Sequence, residues 1–234
     1  QPAGRLGAEI LIRWQHPELG FIPPSEIVDA AEENGMGAPL AAWIFQSMNR
    51  DLDSFPLPLV RQLDLAINLS TSLFHRGLPE QTLNWLSDGP LLPRQLVYEL
   101  TETIALDDLA LSQRVFAELR RNGIRIALDD FGTGWSSFAY LKDLKFDKLK
   151  IDKSFIQKMD SDARQALFVQ AITELCHRLD ICVVAEGVET ELELSEVLRL
   201  AVDEIQGYYF ARPLPAATFC QFAERQLQQP VWQP

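Results

Sequence analysis

The stretch from Gln95 to Asp130 reads QLVYELTETIALDDLALSQRVFAELRRNGIRIALDD and contains one complete strand–helix–strand unit. Its two short apolar runs, Gln95–Leu100 and Ile124–Leu128, carry β-branched and aromatic residues and are typical of buried strands. Between them, Asp108–Arg121 has helical periodicity, begins with acidic residues and is closed by Asn122-Gly123. A strand, a covering helix and a second strand in this order predict two neighbouring parallel strands.

The same alternation continues along the whole chain. Strands are predicted at Gly7–Arg13, Leu63–Leu69, Gln95–Leu100, Ile124–Leu128, Lys148–Ile151, Ile181–Ala185 and Glu204–Phe210. Helices are predicted at Pro24–Asn34, Pro39–Leu52, Glu80–Trp85, Asp108–Arg121, Ala163–Leu179, Glu191–Leu200 and Pro215–Leu227. Strict alternation favours a parallel sheet covered by helices. About seven such units in a chain of 234 residues are close to the size of a TIM-type (β/α)8 barrel, so we predict an α/β barrel.

The chain has no feature that would divide it or place it in a membrane. No linker, low-complexity tract or charge run interrupts the 234 residues, so we expect a single domain over residues 1–234. No apolar run approaches the roughly 20 residues of a membrane helix, and no basic-then-apolar leader is found. The three cysteines lack CxxC spacing and are expected to be reduced. We therefore expect a cytoplasmic domain.

The charge balance restricts the class of partner. Asp and Glu number 33 against 21 Lys and Arg, which gives a net charge of −12 at pH 7. Because non-specific binding to DNA or RNA requires basic surfaces, we expect neither polymer as a partner. A small polyanion can still bind where arginines or metal ions reverse the sign locally.

Polar side chains stand at the end of nearly every predicted strand, where burial without a partner would be costly. They are Glu9 and Arg13, Asn68, Glu99 and Glu102, Asp129 and Asp130, Lys150 and Asp152, Glu186 and Glu189, and Gln206. From Asn68 onward the strand ends recur at intervals of roughly 20 to 36 residues, near the ~30 residues of a strand–helix–strand unit. Since the C-terminal strand ends of a TIM barrel converge on one face, we predict that these side chains form one site.

In the first predicted strand, successive side chains point to opposite faces, which explains how polar residues can occur within an apolar run. Glu9, Leu11 and Arg13 would share one face of an extended strand, while Ile10 would point to the other. The polar residues can then converge inside the barrel without disturbing the helix-facing side.

The acids suggest a metal centre. Five carboxylates and one amide oxygen would gather without a His or Cys: Glu9, Asn68, Glu99, Asp129, Asp130 and Glu186. Oxygen-only ligands suit hard cations such as Mg²⁺ or Mn²⁺. The adjacent Asp129 and Asp130 favour two ions, with Asp129 bridging them, and a two-ion clamp suits in-line attack on a phosphodiester.

In combination these motifs resemble the EAL-domain phosphodiesterases, which hydrolyse cyclic di-GMP to linear pGpG. The motifs are, in order, ILIRWQHPELGFIPP, NLS, ELTE, DDFGTGWSS, KLKID, EGVE and QGYYFARPLP. The resemblance runs from Gly7 to about Phe219. It implies the EAL-domain variant of the TIM barrel and a pair of Mg²⁺ or Mn²⁺ ions.

The resemblance also implies a role for each matching residue. The metal ligands would be Glu9, Asn68, Glu99, Asp129, Asp130 and Glu186. Lys150 resembles the residue that orients the attacking water, and Glu102 the acid that tethers the DFGTGWSS loop; with Glu9 and Glu186 they form the predicted catalytic set. Residues similar to substrate-binding or orienting groups are Arg13, Asp152, Glu189 and Gln206.

The chain departs from the pattern that the resemblance implies at Ile10, at Trp135, where Tyr is usual, and at its N-terminus. Ile10 stands in the signature where Ala is usual, and because it should face the helix layer we expect a packing adjustment with Glu9 unaffected. The chain also proceeds from Gln1-Pro2 to the signature almost at once. We therefore expect an incomplete N-terminal strand and an excerpt of a longer signalling protein, with a regulatory or sensory domain or a membrane anchor elsewhere.

Alternatives to the enzyme remain open from the sequence. A receptor that binds cyclic di-GMP with weak or no catalysis would be expected to lose metal-site acids, which are all present here. A protein-binding regulatory domain would be expected to lose Arg13, and another two-metal hydrolase could share the barrel. A homodimer through the DFGTGWSS loop, around Asp130–Lys142, is a further expectation from the resemblance.

Overall fold

Seven parallel strands form one curled sheet in the computed structural model, which describes residues 5–132, 141–157, 159 and 162–228. In spatial order they are β1 (Leu6–Ile10), β4 (Leu63–Asn68), β5 (Leu96–Thr101), β6 (Arg125–Phe131), β7 (Lys148–Ile151), β8 (Cys182–Ala185) and β9 (Glu204–Ile205). Two further strands, β2 (Trp14–His16) and β3 (Gly20–Ile22), form a separate antiparallel hairpin. The helices are α1 (Pro24–Glu33), α2 (Gly37–Asp53), α3 (Leu57–Val60), α4 (Leu78–Ser87), α5 (Glu102–Asp107), α6 (Leu109–Arg121), α7 (Lys153–Ile156), α8 (Ala163–Arg178), α9 (Glu191–Arg199) and α10 (Ala216–Gln228).

The outward face of each strand is apolar and forms the core with the helices. In β5, for example, Leu96, Tyr98 and Leu100 are almost fully buried. They share a face because side chains alternate along a strand, and the other face carries Glu99. Burial at about 25 cal/mol per Å² of apolar surface makes this outer layer the main favourable term in folding.

At the N-terminal ends of the strands, the inward face of the sheet carries a group of ion pairs. We call this group the floor of the barrel. Asp64 in β4 pairs with Arg5 and with Arg125 in β6, the latter at 2.8 Å. Lys148 at the start of β7 pairs with Glu204 in β9 at 2.5 Å. These pairs close the lower end of the barrel, so the open end is the one formed by the C-terminal strand ends.

The predicted α/β barrel is confirmed, and the long helices lie within a few residues of their predicted positions. The short helices α3, α5 and α7 were not predicted. Residues 1–4, where the N-terminal departure begins, lie outside the described part of the chain. No helix of the described residues is long and apolar enough to cross a bilayer.

Two strands end at least three residues before their predicted last residue. β1 stops at Ile10 rather than Arg13, because the chain turns into the β2–β3 hairpin, where Gly20 adopts a φ of 74°. Such a left-handed turn position favours glycine. β9 stops at Ile205. The predicted shared strand face of Glu9 and Arg13 is therefore wrong, although Ile10 packs against the core as expected.

Candidate active site

The C-terminal strand ends place the predicted polar residues around one opening. Parallel pairing sets Asn68 of β4 beside Glu99 of β5, and Asp129 of β6 beside Thr101 of β5. Lys150 lies on β7, and Glu186 directly follows β8. All of these residues lie at or just after the C-terminal end of a strand, so the parallel arrangement of the sheet brings them to the same end of the barrel.

Lys150 is the centre of the site. Its Nζ lies 2.8 Å from Glu99 Oε2, 3.0 Å from Asp129 Oδ1 and 2.9 Å from Glu186 Oε1. The lysine is only 2% exposed. One ammonium on β7 therefore contacts acids from β5, β6 and the end of β8: it donates a hydrogen bond to Glu99 and forms ion pairs with the other two.

Glu9 is held by two side-chain amides. Asn68 Nδ2 donates to Glu9 Oε1 at 2.6 Å, and Gln206 Nε2 donates to Glu9 Oε2 at 3.0 Å. Because the Asn68 amide donates through its nitrogen, its Oδ1 is turned away from Glu9 and can act as a ligand. The Gln206 bond joins the two edge strands of the sheet, β1 and β9, near the opening.

A local distortion of β6 presents two adjacent acids to the opening. The register between β6 and β7 shifts between Leu128 and Phe131, and Asp130 has a φ of 52°. The backbone N–H of Asp130 donates to Asp129 Oδ1 at 3.0 Å. In a regular strand the two side chains would point to opposite faces. Here Asp129, Asp130 and Glu186 each offer an oxygen within 4.8 Å of the others.

Burial and mutual repulsion raise the pKa values of three of these carboxyl groups. Burial raises the pKa of Glu99 to about 8 and that of Glu186 to about 7, against the opposing effect of Lys150. Burial and then the neighbouring Asp129 raise the pKa of Asp130. Burial alone would lower the pKa of Lys150, but the surrounding carboxylates outweigh it and raise that pKa. These three carboxyl groups therefore bind protons more readily than free carboxyl groups do, chiefly because they are buried.

The donor set fits a hard divalent cation. Among the described residues that gather at the opening, it consists of carboxylate and amide oxygens, with no thiol or imidazole. Mg²⁺ and Mn²⁺ prefer such ligands, and their charge would favour the ionised form of acids whose pKa values are raised. The cluster of Asp129, Asp130 and Glu186 is one that could hold an ion.

The remaining predicted site residues lie at the rim. Arg13 is exposed and donates to its neighbouring carbonyl, Ile12 O, at 2.8 Å. Asp152 caps helix α7 by accepting from the Ser154 N–H at 2.9 Å. Glu189 is exposed in the loop after β8, and Glu102 is the first residue of α5. The loop residues 133–140, to which Glu102 was expected to connect, lie outside the described part of the chain.

The sequence prediction did not identify Gly207, which allows two loops of the site to contact each other. A Cβ on Gly207 would lie 2.0 Å from Val188 O. Val188 N donates to Gln206 O at 3.1 Å, and Tyr209 N donates to Val188 O at 3.0 Å. The loop after β8, which carries Glu186 and Glu189, is thus joined to the segment that carries Gln206. Only the glycine directly after Gln206 in the sequence gave any signal of this close approach.

Comparison with known proteins places this geometry in a family. A family model described as the EAL domain matches residues 3–213. The chain is 40% identical to the Escherichia coli K12 protein named "Probable cyclic di-GMP phosphodiesterase PdeD" over 92% of this chain and 40% of that protein. It is 36% identical to the Pseudomonas aeruginosa cyclic di-GMP phosphodiesterase NbdA, over 92% of this chain and 28% of that protein. The chain thus spans less than half the length of these curated relatives.

A solved structure shares the fold over nearly the whole chain. The structure described as "PaMucR Phosphodiesterase, c-di-GMP complex" superposes with a TM-score of 0.81 at 36% identity. The superposition covers 91% of this chain and 87% of that one. The barrel therefore has the same fold as a protein solved in complex with cyclic di-GMP.

Proposed function

The chain belongs to the EAL-domain family, and we propose that this domain hydrolyses one phosphodiester bond of cyclic di-GMP to give linear pGpG. The observation that carries the proposal is the cluster at the barrel opening: Lys150 in contact with Glu99, Asp129 and Glu186. Receptors that have lost catalysis would not need this complete set of acids.

The residues proposed to hold Mg²⁺ or Mn²⁺ are Glu9, Asn68, Glu99, Asp129, Asp130 and Glu186. When bound, two such ions supply an activated water and neutralise charge on the phosphoryl group. The contacts of Glu9 with the Asn68 and Gln206 amides support this assignment, because both carboxylate oxygens are oriented before any ligand arrives.

The other residues are proposed to orient the substrate and the attacking water. Lys150 supplies positive charge next to the ligands and can donate to the water. Arg13, exposed at the rim, is proposed to bind a phosphate of the substrate, for which its planar guanidinium is well suited. Asp152, Glu189 and Gln206 are proposed to orient the substrate, and Glu102 to tether the loop at 133–140.

The proposal is tested by following cyclic di-GMP and pGpG by chromatography with Mn²⁺, with Mg²⁺ and with a chelator. We expect metal-dependent formation of pGpG by the wild-type chain, and a loss of at least about 100-fold in Glu9→Gln, the scale expected when an electrostatic group of an active site is removed. Glu118→Gln, an exposed acid on α6, is the matched control and should keep full activity.

Either of two outcomes would contradict the proposal. Tight binding of intact cyclic di-GMP without turnover would favour the receptor, and turnover unaffected by chelator would remove the metal ions from the mechanism. The same assay with other cyclic dinucleotides tests the substrate itself.

The wider context of the domain is also proposed. We infer a single EAL domain that forms part of a longer signalling protein with a regulatory or sensory domain, as the much greater length of the relatives suggests. Placement in the cytoplasm is supported by three free cysteines, which suit a reducing compartment. A homodimer through residues 130–142 is proposed from family resemblance alone, and most of that segment lies outside the described residues.

A further inference from the structure

Lys150 carries one positive charge and contacts three acidic side chains. A single buried ammonium contacts the carboxylates of Glu99, Asp129 and Glu186 at 2.8 to 3.0 Å. All three are residues proposed above as metal ligands; Glu9 repels Glu99 and Glu186, and Asp130 and Asp129 repel each other. The ammonium donates a hydrogen bond to Glu99 Oε2 and forms ion pairs with Asp129 and Glu186.

We propose that Lys150 is the protein's own counter-ion for the metal site, and that it lowers the affinity of the site for divalent cations by neutralising the carboxylates that would bind them. The inference rests on the metal site of the proposed function and adds a role for Lys150 that does not involve the substrate. The lysine shields three acids from one another, and an incoming cation must share those same acids with it.

The physical argument is electrostatic. An ammonium and a divalent cation that share the same carboxylates repel each other, and burial makes this repulsion stronger than it would be in water. Removing the ammonium takes away one positive charge from beside Glu99, Asp129 and Glu186, so an incoming divalent cation no longer shares these acids with it. A role confined to orienting water would leave the metal affinity unchanged, and a role in positioning the ligands would weaken binding when the lysine is lost.

The strand itself provides a matched control. Lys148 lies two residues earlier on the same strand, is also buried and forms an ion pair with Glu204 at 2.5 Å. It differs from Lys150 in facing the closed floor of the barrel, where Cys182 also contacts Glu204. Lys148→Met therefore removes an equivalent buried charge without changing the acids at the opening.

The experiment is a calorimetric titration of the full chain, stripped of metal, with Mn²⁺ and without substrate. We compare wild type, Lys150→Met and Lys148→Met, and use the rise in Tm with Mn²⁺ as a second readout. We expect Lys150→Met to bind Mn²⁺ on the order of tenfold tighter than wild type, because one repulsive charge has been removed, and to show the larger rise in Tm. Lys148→Met should bind as wild type does.

Equal or weaker binding of Mn²⁺ by a folded Lys150→Met variant would overturn the inference. If that variant does not fold without metal, it is refolded with Mn²⁺ and its affinity is measured by competition with a chelator, and Lys150→Gln provides a second neutral side chain. Failure to hydrolyse cyclic di-GMP would count against the proposed function alone, because these titrations contain no substrate. Absence of Mn²⁺ binding in every variant would overturn the inference as well.

Discussion

At the scale of single residues, the site depends on side chains that are oriented by their neighbours. Glu9 illustrates this, because its two oxygens accept hydrogen bonds from the amides of Asn68 in β4 and of Gln206, which directly follows β9. Gln206 was expected to contact substrate, but in the structure its amide nitrogen donates to Glu9. It can therefore influence a metal ligand as well as the substrate.

Glu32 fixes the loop that follows Asn68 and gives a prediction about pH. The backbone N–H of Ser72 donates to Glu32 Oε1 at 3.0 Å, and this bond chiefly lowers the pKa of Glu32 from its ordinary value of 4.5. Because the folded state favours the ionised form, the stabilisation is present above the ordinary pKa and is lost as the pH falls through the folded value.

The prediction is that Glu32→Gln lowers the free energy of unfolding by about 0.5 kcal/mol at pH 7, a small figure because solvent screens this group. At pH 3 the difference from wild type should be markedly smaller. Urea unfolding of both proteins at the two pH values measures it. A difference that grows as the pH falls would show that the sign is wrong.

At the scale of elements, the loops after β8 and β9 act as one unit. Gly207 allows the backbone of the second loop to contact Val188 in the first, which lies between Glu186 and Glu189. Two site segments that are distant from Glu9 in the sequence are thereby held against the same edge of the barrel.

Replacing this glycine should separate the loops. Gly207→Ala would place a Cβ 2.0 Å from Val188 O, and we expect a loss of about 1 to 3 kcal/mol of stability, as for other overpacked sites. We also expect reduced hydrolysis at temperatures where the variant is folded, because Glu186 and Gln206 move. Thermal unfolding and the chromatographic assay measure the two effects.

Gly7→Ala is the control for this prediction. The nearest atom to a Cβ at Gly7 lies 3.9 Å away, which is ordinary van der Waals contact, so both properties should change little. If Gly207→Ala were as stable and active as Gly7→Ala, the contact between the two loops would not matter for the site.

At the scale of the whole molecule, the ion pairs that stabilise the barrel and the residues of the site lie at opposite ends of it. The floor consists of ion pairs around Asp64 and Glu204, and the opening carries the acids around Lys150. Asp64 is buried, while its partners Arg5 and Arg125 are partly exposed.

We expect Asp64→Asn to lower the free energy of unfolding by about 3 kcal/mol, since breaking a buried pair leaves charge without its partner. The activity per folded molecule should stay near that of wild type, because Asp64 lies at the closed end. Asp53→Asn, an exposed acid at the end of α2, is the control. A large fall in activity without a fall in stability would contradict the separation of the two ends.

Much of this architecture could be predicted from local sequence. The apolar runs of strands such as Leu63–Asn68 and the caps of helices such as α6, where Asp108 accepts from the Leu111 N–H at 2.9 Å, are encoded by neighbouring residues. The recurrence of acids at strand ends also predicted that Glu99, Asp129 and Glu186 would meet. Hydrophobic periodicity and spacing carry this information because they depend on one element at a time.

The sequence by itself therefore determined the α/β barrel, the side chains that gather at its opening and their oxygen-rich chemistry. Only the tertiary structure decided that β1 ends at Ile10, that Asp130 bends back beside Asp129, and that Lys150 binds three acids at once. These features depend on contacts between strands and loops that are far apart in the chain. The spacing of residues along one strand cannot specify such contacts, because they form only when the whole sheet has curled.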